Sequence, residues 1–561
     1  MRRWLPVPIV ALLACSSSDG DQPVDDASDA PASDGGPDAA DTSTDATPGD
    51  IAIDSGPVVT HPTNILNNGG FEYGLMCYGD WVWSKTGKDY VGDYRFHVSK
   101  DAHEGTRSLE IRCEGSDCGF PAKAAIVSND LSSPRSQAYK FTVWTKCDAG
   151  KNAFFYTPNE AAGEFSKPLA CTGAWASNEI TFTSSAKDDV IHYALYYADT
   201  GSMFVDDAVM TYGDGTVPKH TVAHAGTRSV SITGNHVMVD GAPYLALGFY
   251  NVPYSSLADA QKMGTNTVTA LGGELTADCF NTERGTYGDQ AYELGIGTMP
   301  DSTTTARLAA PDLYPALIER FAPQLSNLAW HLIDEPDQVA VPWYPLAATD
   351  LVATHDAIRT KTTLPVTADF QHAAYDPVTV DQPYENGVEL YMAEPYGDDF
   401  ASVGHATSTV FGAMKPRPIW LAQDPVSTDR IVPKAYAVIV AGSTGLLYFT
   451  WGDFAGDAAK MAAAKQVFSE LTSLKAAIFG DDATATVTAP AGVKLLARKS
   501  AGKTYVLAVN PTAATVSGDF AISTIAAGTK IDVQFESRSI TSAAGKFTDT
   551  FTGVSRHVYV F

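Results

Sequence analysis

The 561 residues are too many for one hydrophobic core and point to about three or four domains. A hydrophobic share of 45%, a charged share of 18% and aromatics at 10% describe a globular, β-rich chain of exported character. A formal net charge of −27 excludes nucleic acid as a partner, since phosphate backbones need a basic surface.

The chain opens on MRRWLPVPIVALLACSSS: two arginines, a short apolar core and Leu12-Leu13-Ala14-Cys15. Charge followed by an apolar stretch is the layout of a secretory signal, here residues 1–14. Its end resembles a bacterial lipoprotein signal. That resemblance implies lipidation of Cys15 and a protein held at the bacterial cell envelope, at the outer membrane or cell surface. Acyl chains would hold it on the membrane rather than through it. After the signal, no stretch has the roughly 20 unbroken apolar residues of a membrane span. Residues 15–62 form the tether. Between Ser16 and Asp54 the chain carries eleven aspartates and no lysine or arginine, so it cannot bury enough apolar surface to fold and repels itself into an extended form.

Export makes disulfides plausible for Cys77, Cys113, Cys118, Cys147 and Cys171, which cluster, while Cys279 stands apart. The expected pairs are Cys113 with Cys118 and Cys147 with Cys171, leaving Cys77 unpaired. No Cys/His spacing suggests zinc, so the expectation is no metal and no cofactor.

Residues 63–213 alternate apolar and polar between Gly, Asn, Asp and Ser turns, as in AYKFTVWTKCDAG, which predicts a β-sandwich. NILNNGGFEYG, HEGTRSLEI and FVDDAVMTYGD resemble carbohydrate-binding modules with a galactose-binding-like jelly roll. The resemblance implies a carbohydrate partner, for which Trp81, Trp83, Trp144 and Trp175 are candidate stacking platforms, or else core.

From residue 227 to 480 the pattern changes. HVMVDGAPYLALGFYNV reads as a hairpin around Asp-Gly that leads into an apolar strand. Strand-like runs then alternate with amphipathic helical ones. The strands are expected at Leu245–Tyr250, Asn266–Ala270, Gly295–Met299, Leu328–Ile333, Leu364–Asp369, Val388–Ala393, Pro418–Ala422 and Gly445–Thr450. Strand–helix units of this number and spacing predict a central (β/α)8 TIM barrel, whose chemistry sits where strands end. Strand four ends in Asp334-Glu335-Pro336-Asp337, strand five in Asp369-Phe370-Gln371-His372, strand six in Glu394-Pro395-Tyr396, strand seven in Gln423-Asp424 and strand eight in Trp451-Gly452-Asp453. Mouths rich in acids and aromatics suit glycoside hydrolysis, where one carboxylic acid protonates the leaving oxygen and a second group stabilises or attacks the oxocarbenium-like centre.

VDGAPYLALG, AWHLIDEPD, PIWLAQD and AYAVIVAGSTGLLYFTWGD, over about Ser229 to Gly480, resemble the retaining TIM-barrel glycosidases with a glutamate acid/base at the end of strand four. Carried over, Glu335 is the acid/base and Trp451 the floor of the sugar site. Two positions depart from that family: Asp334 stands where it has Asn, and Gln423-Asp424 where it has a nucleophilic glutamate. The second carboxylate is therefore Glu394 or Asp424. Asp334-Glu335 is also similar to the substrate-assisted N-acetylhexosaminidases, in which the Asp orients a 2-acetamido group and no enzyme nucleophile is needed. Adjacent residues on a regular strand point to opposite faces, so this requires the strand to have ended. Tyr250, Asn251, Tyr396 and Gln423 are candidate substrate contacts, His372 and His331 are either substrate contacts or satisfied core or rim residues, and Asp337 is a candidate helix N-cap. A non-catalytic glycan-binding protein is the reading outside enzymes.

Residues 482–561 return to alternating strands (VKLLARKS, TYVLAVNPT, KIDVQFE, RHVYVF) and predict a C-terminal antiparallel β-sandwich.

Overall fold

The structure, a computed structural model, describes residues 64–83, 94–128, 131–132, 134–160, 163–187, 190–218, 223–269, 279, 287–306, 310–321, 323–337, 346–370, 382–394, 418–423 and 427–561.

The first sheets are two five-stranded antiparallel ones. In spatial order one holds Tyr78–Trp83, Lys123–Ser128, Ala194–Tyr197, Ala153–Glu160 and Gly163–Pro168; the other holds Tyr94–Ser99, Ser108–Cys113, Gly201–Tyr212, Ala138–Cys147 and Ala176–Thr183. Strand Ala138–Cys147 alternates buried and half-buried residues along its length, the period-two signature of a sheet with one face in the core. Phe141 from one sheet meets Phe155 and Tyr193 of the opposite layer at 5.2 and 4.7 Å between ring centres. Cys113–Cys118 and Cys147–Cys171 are bonded. Cys77 corrects the expectation: it pairs with Cys279, 202 residues away. Local spacing could not suggest a bond that depends on tertiary contact.

The hairpin around Asp240-Gly241 joins His236–Val239 to Ala242–Pro243, with positive φ at both turn residues (52° and 79°), as its tight turn requires. Eight parallel strands follow: β1 Ala246–Tyr250, β2 Thr267–Thr269, β3 Gly297–Met299, β4 Trp330–Asp334, β5 Val366–Phe370, β6 Leu390–Ala393, β7 Ile419–Gln423 and β8 Gly445–Tyr448. They form one sheet in the order β3-β2-β1-β8-β7-β6-β5-β4. Parallel bridges Thr298–Asn327 and Asp301–His331 span the seam between β3 and β4. The result is a nearly closed barrel of the TIM type.

The lower interior is apolar. Trp420, Leu390, Leu328 and Ala246 pack with Val230, Val237 and Val239 of the hairpin segment, which closes that end. The packing depends on two glycines. A Cβ on Gly445 would stand 2.4 Å from the Trp420 ring, and one on Gly248 would stand 1.6 Å from the Thr267 carbonyl oxygen. Among the described residues the N-terminal end is packed, which leaves the C-terminal strand ends to admit a ligand.

Around the barrel, the Cys77–Cys279 bond, the Tyr73–Phe321 edge contact at 5.5 Å and the Arg107–Asp312 ion pair at 2.9 Å fasten the first sandwich. At the C-terminus a six-stranded and a three-stranded antiparallel sheet enclose Phe520, Phe547 and Tyr559. Arg556 reaches Glu470 on helix Ala458–Ile478 at 2.5 Å, and Glu470 also accepts from the Tyr436 hydroxyl at 2.8 Å.

Replacing both Cys77 and Cys279 by Ala is expected to cost about 2–5 kcal/mol, because the bond closes a very long loop. The check is the midpoint of denaturant unfolding under non-reducing conditions, and an unchanged midpoint would contradict it.

Candidate active site

Strand β4 is irregular where the site begins. Its pairing with β5 slips between His331 and Asp334. In an unbroken strand these residues, three apart, would face opposite sides; the slip turns both inward. Glu335 follows at φ +51°, in the left-handed region that a residue with a Cβ enters at some cost. That turn ends the strand and brings Glu335 to the mouth beside Asp334, with its N–H donating to the Asp369 carbonyl at 2.9 Å. The objection to adjacent acids sharing one pocket is thereby answered: the strand ends between them.

Strands β5 and β6 add two more acids by plain alternation. Asp369 points inward while Phe370 and Ala368 join the outer core. Glu394 follows β6, its N–H bonded to the Phe370 carbonyl at 3.0 Å. Asp301 comes from the segment after β3, where the Thr303 N–H and hydroxyl donate to its Oδ1 at 2.9 and 2.6 Å. His331 lies between two of these acids, its Nδ1 at 2.9 Å from Asp301 Oδ1 and its Nε2 at 3.4 Å from Asp369 Oδ2. The Tyr250 hydroxyl donates to Asp369 Oδ2.

Every one of these groups is buried: Asp301 is 3% exposed, Asp334 7%, Glu335 8%, Glu394 2%, and His331 and Asp369 0%. The electrostatics follow from that crowding. Burial opposes charge on His331, but the Asp301 and Asp369 carboxylates outweigh it and hold its pKa well above the ordinary imidazole value. Burial, then repulsion from Glu335 and Asp369, drives Asp334 well above the usual carboxylate range. Glu394 is driven up by burial, then by Asp334, Glu335 and Asp369, and by a hydrogen bond with Glu335. A protonated carboxyl bonded to a second carboxyl group is equipped to give a proton on one side of a bond and accept or attack on the other. Asp334 Oδ1 and Asp369 Oδ1 have no hydrogen-bond partner among the described residues, and His331 Nε2 makes no hydrogen bond of good geometry beyond its long approach to Asp369. One ligand atom from each of these three residues lies within 4.8 Å of the others.

The candidates separate accordingly. Glu335, Glu394, Asp334 and Tyr250 converge. Asn251 follows β1 at φ +52°, its N–H bonded to the Thr269 carbonyl at 2.8 Å. Gln423 ends β7, but its side chain lies outside the described residues, as do His372, Tyr396 and Asp424. Asp337 is buried, and the segment it would cap, residues 338–345, also lies outside them.

Trp451 is a correction. Its ring meets Phe249 edge-on at 5.2 Å and packs with Phe454 and Tyr448, on the outer side of the barrel wall, so it is core rather than a sugar floor. Phe449 is the aromatic on the inner side, half-buried and 5.8 Å from the Tyr250 ring. It was legible as the third inward position after Gly445 and Leu447. Asp301 was legible too, as the acid that follows the β3 run. On the first sandwich, Trp144 stacks on His103 at 3.7 Å, with Trp175 5.9 Å from that histidine; both tryptophans are half-buried. Trp81 and Trp83 lie in strand Tyr78–Trp83, their side chains outside the described residues.

No protein-family model matches the chain, and no curated protein matches it in sequence. Among solved structures, an α-amylase from Geobacillus thermoleovorans complexed with acarbose is 10% identical, covers 61% of this chain and 98% of its own length, and has a TM-score of 0.40. The CBM22-1 and GH10 modules of Clostridium thermocellum xylanase 10B, complexed with xylohexaose, are 12% identical over 72% of this chain and 97% of theirs, with a TM-score of 0.30. The enzymatically active domain of bacteriophage CBA120 tailspike protein 4 is 7% identical with a TM-score of 0.23; the match covers 27% of this chain and only 21% of that one. Similarities of this size leave the chemistry to be argued from this chain's own residues.

Crowded like charges weaken the fold wherever they ionise. Glu394 keeps its proton in the folded state to a higher pH than in the unfolded state. Its contribution is therefore complete below the unfolded carboxylate pKa and is lost as pH rises toward the folded one. Glu394→Gln should raise the thermal midpoint at pH 8 by about 2–4 °C, and the gain should vanish near pH 4. Calorimetry across that range checks it; a variant less stable than wild type at pH 8 would contradict it.

Proposed function

We propose that this chain is a glycoside hydrolase acting on a polysaccharide or glycan, with Glu335 as general acid/base. The single observation that carries the reading is the gathering of the buried carboxyl groups of Glu335, Glu394, Asp334 and Asp369 at the C-terminal ends of the barrel strands. Glu335 follows β4 and Glu394 follows β6, and the reading takes them as the close pair of a retaining site, about 5–5.5 Å apart, rather than the roughly 6.5–9.5 Å of an inverting one. They fit a retaining mechanism. Before attack the proton that Glu394 holds passes to Glu335; Glu335 then gives it to the glycosidic oxygen, the Glu394 carboxylate closes on the anomeric carbon as the bond to the leaving group breaks, and Glu335 takes the proton of the water that releases the sugar. Phe449 offers the sugar a half-buried ring.

A second reading keeps Glu335 as acid and replaces Glu394 by the substrate's own 2-acetamido oxygen, oriented by Asp334. The turn at Glu335 favours it, since both acids then reach one pocket, and so does the Asp334 Oδ1 left without a partner among the described residues. The first sandwich and its Trp144–His103–Trp175 cluster support a carbohydrate-binding role beside the barrel. The signal ending at Cys15 and the acidic tether support anchoring at the cell envelope through lipid, with the folded part reaching outward.

Product release from a broad panel of polysaccharides and aryl glycosides, N-acetylhexosaminides included, is the test. Glu335→Gln should lower kcat by about 10²–10⁴-fold on any substrate with a poor leaving group. Asp334→Asn should then be nearly as damaging on N-acetylhexosaminides if the acetamido group is the nucleophile. Glycan binding with no turnover, equal in wild type and Glu335→Gln, would replace the enzyme with a receptor.

A further inference from the structure

We propose that the barrel mouth binds one divalent transition-metal ion, of the zinc or manganese class, on His331 Nε2 and one carboxylate oxygen each from Asp334 and Asp369. These side chains come from β4 and β5, and their ligand atoms lie within 4.8 Å of one another. His331 and Asp369 are fully buried and Asp334 nearly so; Asp334 Oδ1 and Asp369 Oδ1 have no hydrogen-bond partner among the described residues, and His331 Nε2 has a long approach to Asp369 Oδ2 at 3.4 Å. A buried polar atom left unsatisfied weakens the fold. Ligand atoms of these three residues lie within 4.8 Å of one another, close enough for a single cation to meet that need.

The surroundings are those of a built site. Asp301 faces Nδ1 of His331 at 2.9 Å, which fixes the ring with Nε2 inward, the carboxylate–histidine arrangement that orients metal-binding imidazoles. The Tyr250 hydroxyl occupies Asp369 Oδ2 and leaves Oδ1 to the ion. Asp301 is itself held by Thr303, whose hydroxyl also accepts the Asp334 N–H at 3.1 Å. One imidazole nitrogen with two carboxylate oxygens suits zinc or manganese; calcium favours six to eight oxygen ligands. Around a tetrahedral ion with bonds of about 2.1 Å, ligand atoms stand roughly 3.4 Å apart, within the 4.8 Å bound on their present separations, so side-chain adjustment alone can close the site. The ion takes the place of the Nε2 proton between His331 and Asp369. Its open side faces Glu335 and Glu394, where a water or a sugar hydroxyl completes the shell.

The test is calorimetric titration of the full chain, stripped with chelator, with Zn²⁺ and separately with Mn²⁺. Wild type should bind about one ion tightly above the loose background of the acidic tether, which every variant retains. Asp334→Asn should weaken that step by about 100-fold, and Asp301→Asn, which only orients His331, by about 10–100-fold. No tight step for either metal, or one unchanged in Asp334→Asn, would overturn the site. If Asp334→Asn does not fold, spin-echo spectroscopy of Mn²⁺ on wild type decides: imidazole nitrogen coupling supports the site and its absence overturns it. Glu335→Gln should still bind the ion, so a failed hydrolase assay and a failed ion site remain separate results.

Discussion

The barrel mouth is organised by the burial of five carboxyl groups around one histidine. Asp301, Asp334, Glu335, Asp369 and Glu394 lie within the reach of one another's charge and out of water. Ionised carboxylates are not left in such a place without protons, partners or cations to neutralise them. His331 supplies one positive charge between Asp301 and Asp369, and Asp334 and Glu394 hold protons that free carboxyls would lose. Groups displaced from their ordinary titration in this way are characteristic of sites that move protons.

The rest of the barrel makes that arrangement tolerable. The lower interior is filled by Trp420, Leu390 and Leu328 under the hairpin segment, so the charged layer rests on rigid packing. The slip in β4 and the positive φ of Glu335 are departures from regular strand geometry at the place where the acids gather. Local strain of that kind persists only where surrounding structure enforces it. The Cys77–Cys279 bond fastens the first sandwich to a segment between β2 and β3, and Arg556 fastens the C-terminal sheets to helix Ala458–Ile478.

Much of this was legible in the sequence. The eight apolar runs show themselves because parallel barrel strands are buried on both faces, and Glu335 and Glu394 show themselves as acids that end such runs. Other features were hidden for physical reasons. Cys77 finds its partner across a tertiary interface. Trp451 looked like a sugar floor by position in the chain, yet strand alternation puts Phe449 inward and leaves Trp451 to pack on Phe249. The slip that turns both His331 and Asp334 inward has no local signature, since it depends on pairing with β5. For the same reason a metal set drawn from residues 331, 334 and 369 follows none of the short spacings by which metal sites are read from sequence.

The central claim is that the closely set carboxyls of Glu335 and Glu394 carry out glycoside hydrolysis at this mouth. The anomeric configuration of the first-formed product, followed by proton NMR during turnover, tests it most directly. The account requires retention, whether Glu394 or a substrate acetamido group attacks the sugar. A product released with inverted configuration would show that water attacks from the opposite face and would contradict it.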